Sequence, residues 1–105
     1  MNQKMEFIKI LYGEILMYFE EYEEAVKRFL KAIVIASNDW YIYQTYIKLG
    51  ICYKALENYD LALKNLKKGK ELTKKSTSDP ETQQKCVTIA DLFLSEIKQL
   101  AKLIA

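Results

Sequence analysis

The chain contains no histidine, and among its 105 residues it has only three glycines, one proline and two cysteines. Without histidine there can be no Ser-His or Cys-His nucleophile pair, no helical His-Glu metalloprotease motif and no mixed Cys/His zinc site. The glycines stand singly, so there is no glycine-rich phosphate loop either. We therefore expect a protein that is not an enzyme and that uses no cofactor and no metal ion.

The scarcity of Gly and Pro disfavours a strand-and-turn architecture, and the abundant Leu, Ile, Lys and Glu are residues that helices tolerate well. A chain of this length forms one domain at most, and 50% apolar residues suffice for a core. The formal net charge of +2 is too small to predict a nucleic-acid or anionic-membrane surface. Six lysines between Lys64 and Lys75 are interpreted as solvated helix-end cations, and Arg28 is the only arginine.

The N-terminal residues lack the apolar core of a signal peptide, and no apolar run approaches the roughly 20 residues needed to cross a bilayer. These features predict a cytoplasmic protein without a membrane partner. Cys52 and Cys86 lie in separate apolar stretches where a small hydrophobe serves equally well, so we do not expect them to form a disulfide. The acidic stretch from Glu20 to Glu24 is interpreted as a solvated helix start rather than a metal site.

Apolar residues recurring at spacings of three and four predict five helices. The first two form a hairpin joined near Glu20, and the next two form a second hairpin joined at Glu57-Asn58. Ser37-Asn38-Asp39 separates the hairpins, and Trp40 starts the third helix. At the last break, Asp79 is expected to cap the fifth helix and Pro80 to occupy its first position.

The second hairpin repeats the first after a shift of 37 residues. The shift aligns residues of matching size at five positions: Gly13 with Gly50, Tyr22 with Tyr59, Ala25 with Ala62, Phe29 with Leu66, and Ala32 with Gly69. Small residues recurring at one phase indicate close helix approach, and we expect Gly13 to face Ala25 and Gly50 to face Ala62. The chain is therefore built from two copies of one helical unit.

Each unit resembles a tetratricopeptide repeat (TPR), which pairs two antiparallel helices over about 34 residues. The motif is clearest in Leu49-Gly50-Ile51-Cys52-Tyr53, followed by Tyr59, Ala62 and Leu66. The resemblance implies an all-α fold in which antiparallel hairpins stack as a short, right-handed TPR-like solenoid of five helices. The single domain would span residues 1–105, with repeat 1 at about 5–38, repeat 2 at about 40–76, and a capping helix or half repeat at about 80–104.

In the TPR family the first helix of each unit lines a concave groove that contacts the partner. The groove positions carried over by alignment are Phe7, Ile10, Glu14, Met17, Tyr18, Gln44, Ile47, Ile51 and Lys54, joined by Gln84, Val87 and Asp91 if the fifth helix stacks in register. Alternatively, Ile10, Ile47 and Ile51 belong to the core or face a neighbouring copy. The positions that clamp a chaperone carboxylate in some family members are Ile10, Glu14, Lys48, Gln84 and Thr88, and none has the required side chain.

The resemblance therefore implies a protein–protein interaction module that binds a peptide or helical segment of a partner through its concave face. Two alternatives stay open. One is a self-assembling scaffold subunit, which would form a homodimer through exposed apolar ends of the stack. The other is the peptide-sensing TPR region of a larger regulator. We expect no nucleic-acid partner in any of these cases.

Overall fold

The computed structural model describes residues 3–35, 42–76 and 79–104, with side chains from Ile8 to Leu103. This part of the chain is all-helical and contains no strand, which confirms the predicted all-α class and the five helices. The helices are α1 (Gln3–Tyr18), α2 (Tyr22–Ile35), α3 (Ile42–Ala55), α4 (Tyr59–Lys75) and α5 (Pro80–Ile104). The break expected at residues 37–39 and the helix start expected at Trp40 lie outside the described residues.

The turns that end α1 and α3 have the same backbone geometry, 37 residues apart. Glu20 and Glu57 adopt the left-handed conformation, with φ of 62° and 63°. After α1, the Glu20 N–H donates to the Met17 carbonyl at 2.9 Å and the Glu21 N–H to the Leu16 carbonyl at 2.8 Å. The turn after α3 repeats both hydrogen bonds, from the Glu57 N–H to Lys54 at 2.9 Å and from the Asn58 N–H to Tyr53 at 2.8 Å. Both are Schellman motifs, which satisfy the last carbonyls of a helix.

Side chains cap the two helices that follow the later breaks. The Asn58 side chain accepts a hydrogen bond from the Leu61 N–H at 3.3 Å, at the start of α4. The Asp79 carboxylate accepts from the Thr82 N–H at 2.9 Å and from the Thr82 hydroxyl at 2.7 Å. Pro80 is the first residue of α5, where its missing N–H is not needed. The predicted cap and helix start at this break are confirmed.

Successive helices pack against each other along the chain, and the alternate pairs α1 with α3 and α3 with α5 are also in contact. Two apolar clusters result. The first joins α1, α2 and α3 around Phe29 and Leu49, and the second joins α3, α4 and α5 around Leu66 and Ile97. The molecule measures 46 × 30 × 20 Å along its principal axes, so the clusters lie side by side along an elongated body.

At each of the two aligned glycines, a large side chain of the second helix of the hairpin packs directly against the glycine backbone. A Cβ atom on Gly13 would lie 2.5 Å from the Phe29 ring, and one on Gly50 would lie 2.4 Å from Cγ of Leu66. Phe29 and Leu66 are themselves equivalent under the 37-residue shift. The sequence pairing of Gly50 with Ala62 is a secondary contact, since the Ala62 carbonyl oxygen would lie 3.2 Å away. In both hairpins it is therefore the large side chain, rather than the aligned alanine, that most closely occupies the space over the glycine.

Both cysteines carry free thiols. Cys52 is fully buried in the first cluster, and removal from water raises the pKa of its thiol to about 12. Cys86 is half-buried against the second cluster, where burial also raises its thiol pKa. Cys52 is therefore a packing residue. In the described ranges no helix has the length and apolar character needed to span a membrane.

Candidate partner-binding surface

The predicted groove depends on α1 and α3 lying next to each other, and a charged pair joins them. The Lys48 ammonium on α3 donates a hydrogen bond to Oε1 of Glu14 on α1, across 34 residues of sequence. The next pair links α3 to α5, with Lys54 Nζ 2.6 Å from Oε1 of Glu96. Lys54 also lies 5.3 Å from the centre of the Phe93 ring. These contacts join α1 to α3 and α3 to α5.

Six of the predicted groove residues expose at least part of their side chains along α1 and α3. Tyr18 is the most exposed, at 83%, and its ring meets that of Phe19 edge-on at 5.3 Å. Met17 and Ile51 are half-buried against the two clusters. Gln44 is half-buried and donates a hydrogen bond to the Tyr43 hydroxyl at 3.2 Å. Together with Glu14 and Lys54, these side chains can offer a partner a mixed polar and apolar surface.

Ile10 and Ile47 do not take part in such a surface, because they are only 4% and 5% exposed. Ile10 belongs to the first cluster and Ile47 to the second. The reason is visible at Ile47, whose Cγ1 atom lies in the space that a Cβ on Gly69 of α4 would enter, at 2.6 Å. The alternative that these isoleucines are core residues is therefore correct. Phe7 lies on α1, but its side chain is outside the described residues.

Of the three positions on α5, Asp91 contacts α4. Asp91 pairs with Lys70 of α4, its Oδ1 lying 2.6 Å from the ammonium nitrogen. It is thus tied to the second helix of the hairpin rather than to α1 or α3. Gln84 is exposed and donates to the Thr88 hydroxyl at 3.2 Å, while Val87 is half-buried. The other predicted groove residues lie on α1 and α3, the two helices that the Glu14–Lys48 pair joins.

Lysines surround a shallow depression between α4 and α5. The depression is lined by Lys67, Lys70, Glu71, Lys74, Asp91, Leu94, Ser95 and Lys98. Lys75 pairs with Glu71 at 3.2 Å, one helical turn away. Acidic groups thus offset part of the positive charge on this face. Within the described residues no group of three or more Cys, Asp or Glu side chains could hold a metal ion.

One exposed feature of α1 was not singled out by the sequence pattern. Ile8, Tyr12, Ile15 and Phe19 form a stripe at helical spacing that is 46–68% exposed, and we call it the α1 stripe. The 37-residue shift relates this face of α1 to a face of α3. It maps Ile8, Tyr12 and Ile15 onto Thr45, Leu49 and Cys52, which are all buried. The same face is therefore covered in the second unit and open in the first.

A protein-family model matches residues 4–94 of the chain, from α1 into α5, and its description is Regulator of microtubule dynamics protein 1-3. The chain belongs to this family. The match takes in both hairpins and the α1 and α3 surface described above. No curated protein and no solved structure matches the chain. The family assignment therefore rests on the match over these 91 residues.

Proposed function

We propose that the chain is a short, right-handed TPR-like solenoid that acts as a non-enzymatic protein–protein interaction module. The observation that carries the proposal is the recurrence of one packing unit after 37 residues. The Gly13–Phe29 and Gly50–Leu66 approaches recur, and so do the two Schellman turns at Glu20 and Glu57. Contacts between α1 and α3, and between α3 and α5, support a stack in which first helices lie in a row.

In this proposal a peptide or helical segment of a partner binds along α1 and α3. The residues available for it are Glu14, Met17, Tyr18, Gln44, Ile51 and Lys54, which combine a few apolar side chains with polar groups. Tyr18 is the natural anchor, because an exposed aromatic ring supplies much contact area at a low entropy cost. The Glu14–Lys48 pair holds the two helices in register, so the surface is largely formed before the partner arrives.

The family description supports a regulatory role connected with microtubules. We take the partner to be a protein of the microtubule or one bound to it. This role requires no catalysis by the module. It would hold a partner segment in place, with affinity supplied by apolar burial on a preformed helical surface.

Co-sedimentation with purified microtubules tests the proposal. We expect the wild-type chain to pellet with microtubules to saturation, and the double variant Tyr18→Ala with Gln44→Ala to pellet less at every concentration. Val34→Ala is the matched control, since Val34 is 81% exposed on α2 and outside the groove. Wild-type binding that the double variant leaves unchanged would exclude the α1 and α3 surface. No pelleting of the wild type would exclude a direct microtubule partner.

Self-assembly is the second candidate function, and exposed apolar residues at both ends of the molecule favour it. Ile15 on α1 is 57% exposed, and Leu92 and Leu103 on α5 are 65% and 82% exposed. Such residues at the ends of a short repeat stack promote association with another copy. Light scattering across a concentration series tests this candidate. A mass that stays at one chain at all concentrations would exclude it.

A further inference from the structure

The α1 stripe is an apolar helix face for which the protein itself contains a covered counterpart. The 37-residue shift maps its four residues onto Thr45, Leu49, Cys52 and Leu56 of α3. The first three of these are at most 1% exposed, whereas Ile8, Tyr12 and Ile15 are 58%, 46% and 57% exposed. One face of the repeat unit is thus buried in the second copy of the unit and open to solvent in the first.

The covering element in the second unit is α2. Leu49 and Cys52 belong to the same cluster as Val26 and Phe29, and α2 packs directly against α3. An amphipathic helix with apolar residues on one face therefore fits this side of a first helix. Within the stripe, the Arg28 guanidinium of α2 lies 4.7 Å from the centre of the Tyr12 ring. The α1 residues are larger than their α3 counterparts and are still 46–68% exposed, so they have more surface to bury.

We propose that the α1 stripe is a docking site for an amphipathic helix of another polypeptide, which lies on α1 in the way that α2 lies on α3. The inference rests on the equivalence of the two repeats in the proposed function, but it uses a different face from the groove. The centre of the stripe lies roughly 110° around the helix axis from Glu14 and Tyr18, given 3.6 residues per turn. The Tyr18 and Phe19 rings touch where the two surfaces meet, whereas Ile8 and Ile15 belong only to the stripe and Gln44 only to the groove. Variants at these three residues can therefore disable the two surfaces separately.

The occupant is expected to resemble α2 in chemistry. In α2 a small residue, Ala25 or Ala32, alternates with the large Phe29 on the buried face, while Lys27 and Lys31 are exposed. A helix with this pattern can approach α1 closely and still keep its charged face in water. We therefore define the partner polypeptide as one that carries an amphipathic helix with this pattern of side chains.

The test uses the protein's own covering helix as the probe. A labelled synthetic peptide with the sequence of residues 21–36 is titrated into the full chain, and binding is followed by fluorescence anisotropy. We expect saturable binding that weakens at least tenfold in Ile15→Lys and in Ile8→Lys. Val34→Lys is the matched control, because Val34 is 81% exposed on α2, and it should bind as the wild type does. A scrambled peptide of the same composition should not saturate.

Several results would overturn the inference. One is the absence of saturable binding, and another is an affinity that Ile15→Lys leaves unchanged while circular dichroism shows intact helices. A third is a wild-type dimer that dissociates on Ile15→Lys, which would assign the stripe to a second copy of this chain. Failure of the groove is a separate result, since Gln44→Ala, which leaves the Tyr18–Phe19 contact in place, should lower microtubule binding without changing peptide affinity.

Discussion

Gly50 and Leu66 are packed so closely that a single added methyl group would lie 2.4 Å from Cγ of the leucine. The same relationship joins Gly13 to the ring of Phe29 in the first hairpin, at 2.5 Å. Because carbon atoms at optimal separation lie about 3.5–4.0 Å apart, both sites exclude a Cβ without movement of the neighbour. The glycines thus set how closely the two helices of each hairpin approach.

Gly50→Ala is expected to destabilise the protein. Alanine is intrinsically better than glycine in a helix by about 1 kcal/mol, but overpacking a filled core typically costs about 1–3 kcal/mol. The net loss in free energy of unfolding should therefore be up to about 2 kcal/mol, measured by urea denaturation. Combining it with Leu66→Ala gives the control, because the two costs should be less than additive when the contact is removed. Strict additivity would contradict the packing argument.

Glu57→Gly should stabilise the protein, even though it introduces a glycine. A non-glycine residue in the left-handed conformation costs about 1–2 kcal/mol, which exceeds the added entropy cost of ordering glycine. We expect a gain of about 0.5–1 kcal/mol in the free energy of unfolding, and a similar gain for Glu20→Gly. Glu23→Gly inside α2 is the matched control and should destabilise. Equal losses for all three variants would show that the turns do not adopt this conformation.

The Asp79 cap makes stability depend on pH in the acid range. Hydrogen bonds from Thr82 lower the pKa of the Asp79 carboxyl. Because the folded-state pKa lies below the unfolded value of about 3.9, the stabilisation is fully present above that value and is lost as the pH falls through the lowered pKa. We expect Asp79→Ala to reduce the melting temperature at pH 7 and to flatten its fall below pH 4.

The variant Asp79→Asn distinguishes the hydrogen bonding of the cap from the effect of its negative charge. Asparagine keeps an oxygen acceptor for the Thr82 N–H and is itself a good N-cap residue, but it does not titrate. Its melting temperature at pH 7 should stay near that of the wild type, while the acid dependence should resemble that of Asp79→Ala. An unchanged acid dependence in both variants would show that other carboxyl groups are responsible.

The two cysteines should differ strongly in reactivity. The thiolate is the reactive form, and burial raises the pKa of the Cys52 thiol to about 12. Cys86 is only half-buried, so a thiol reagent at pH 8 should label it first. In Cys86→Ala the remaining thiol should react only as fast as the fold opens, and at once in urea. Fast labelling of folded Cys86→Ala would contradict the buried position of Cys52.

The five helices and the break at Asp79-Pro80 followed from the sequence, because the spacing of apolar residues and the residues at this break act locally. The turn geometry at Glu20 and Glu57 was not predicted, since glutamate carries no preference for the left-handed conformation. The recurrence of glutamate at the same phase of the repeat was the available signal. This recurrence does not by itself indicate a Schellman turn, which is recognised only from the backbone hydrogen bonds.

The candidate surface was less predictable than the fold. Ile10 and Ile47 were placed in the groove because their family positions face it, yet both are buried here. Gly69 allows α4 to come so close to α3 that the Ile47 side chain is enclosed. The burial of Ile47 therefore depends on tertiary packing rather than on the local sequence pattern. The exposure of the α1 stripe was equally unpredictable from the sequence, since burial of this face in one repeat and exposure in the other depend on how all five helices pack.

The most direct test of the account is whether α1 and α3 lie side by side in solution, because the groove and the repeat stack both depend on it. Glu14→Cys with Lys48→Cys, placed in a background with both Cys52→Ala and Cys86→Ala, should be joined within one chain by a short bismaleimide. The yield should be high in buffer and should fall in urea. Efficient intramolecular crosslinking is the result we predict. A yield in buffer no higher than that in urea would contradict the stacked arrangement.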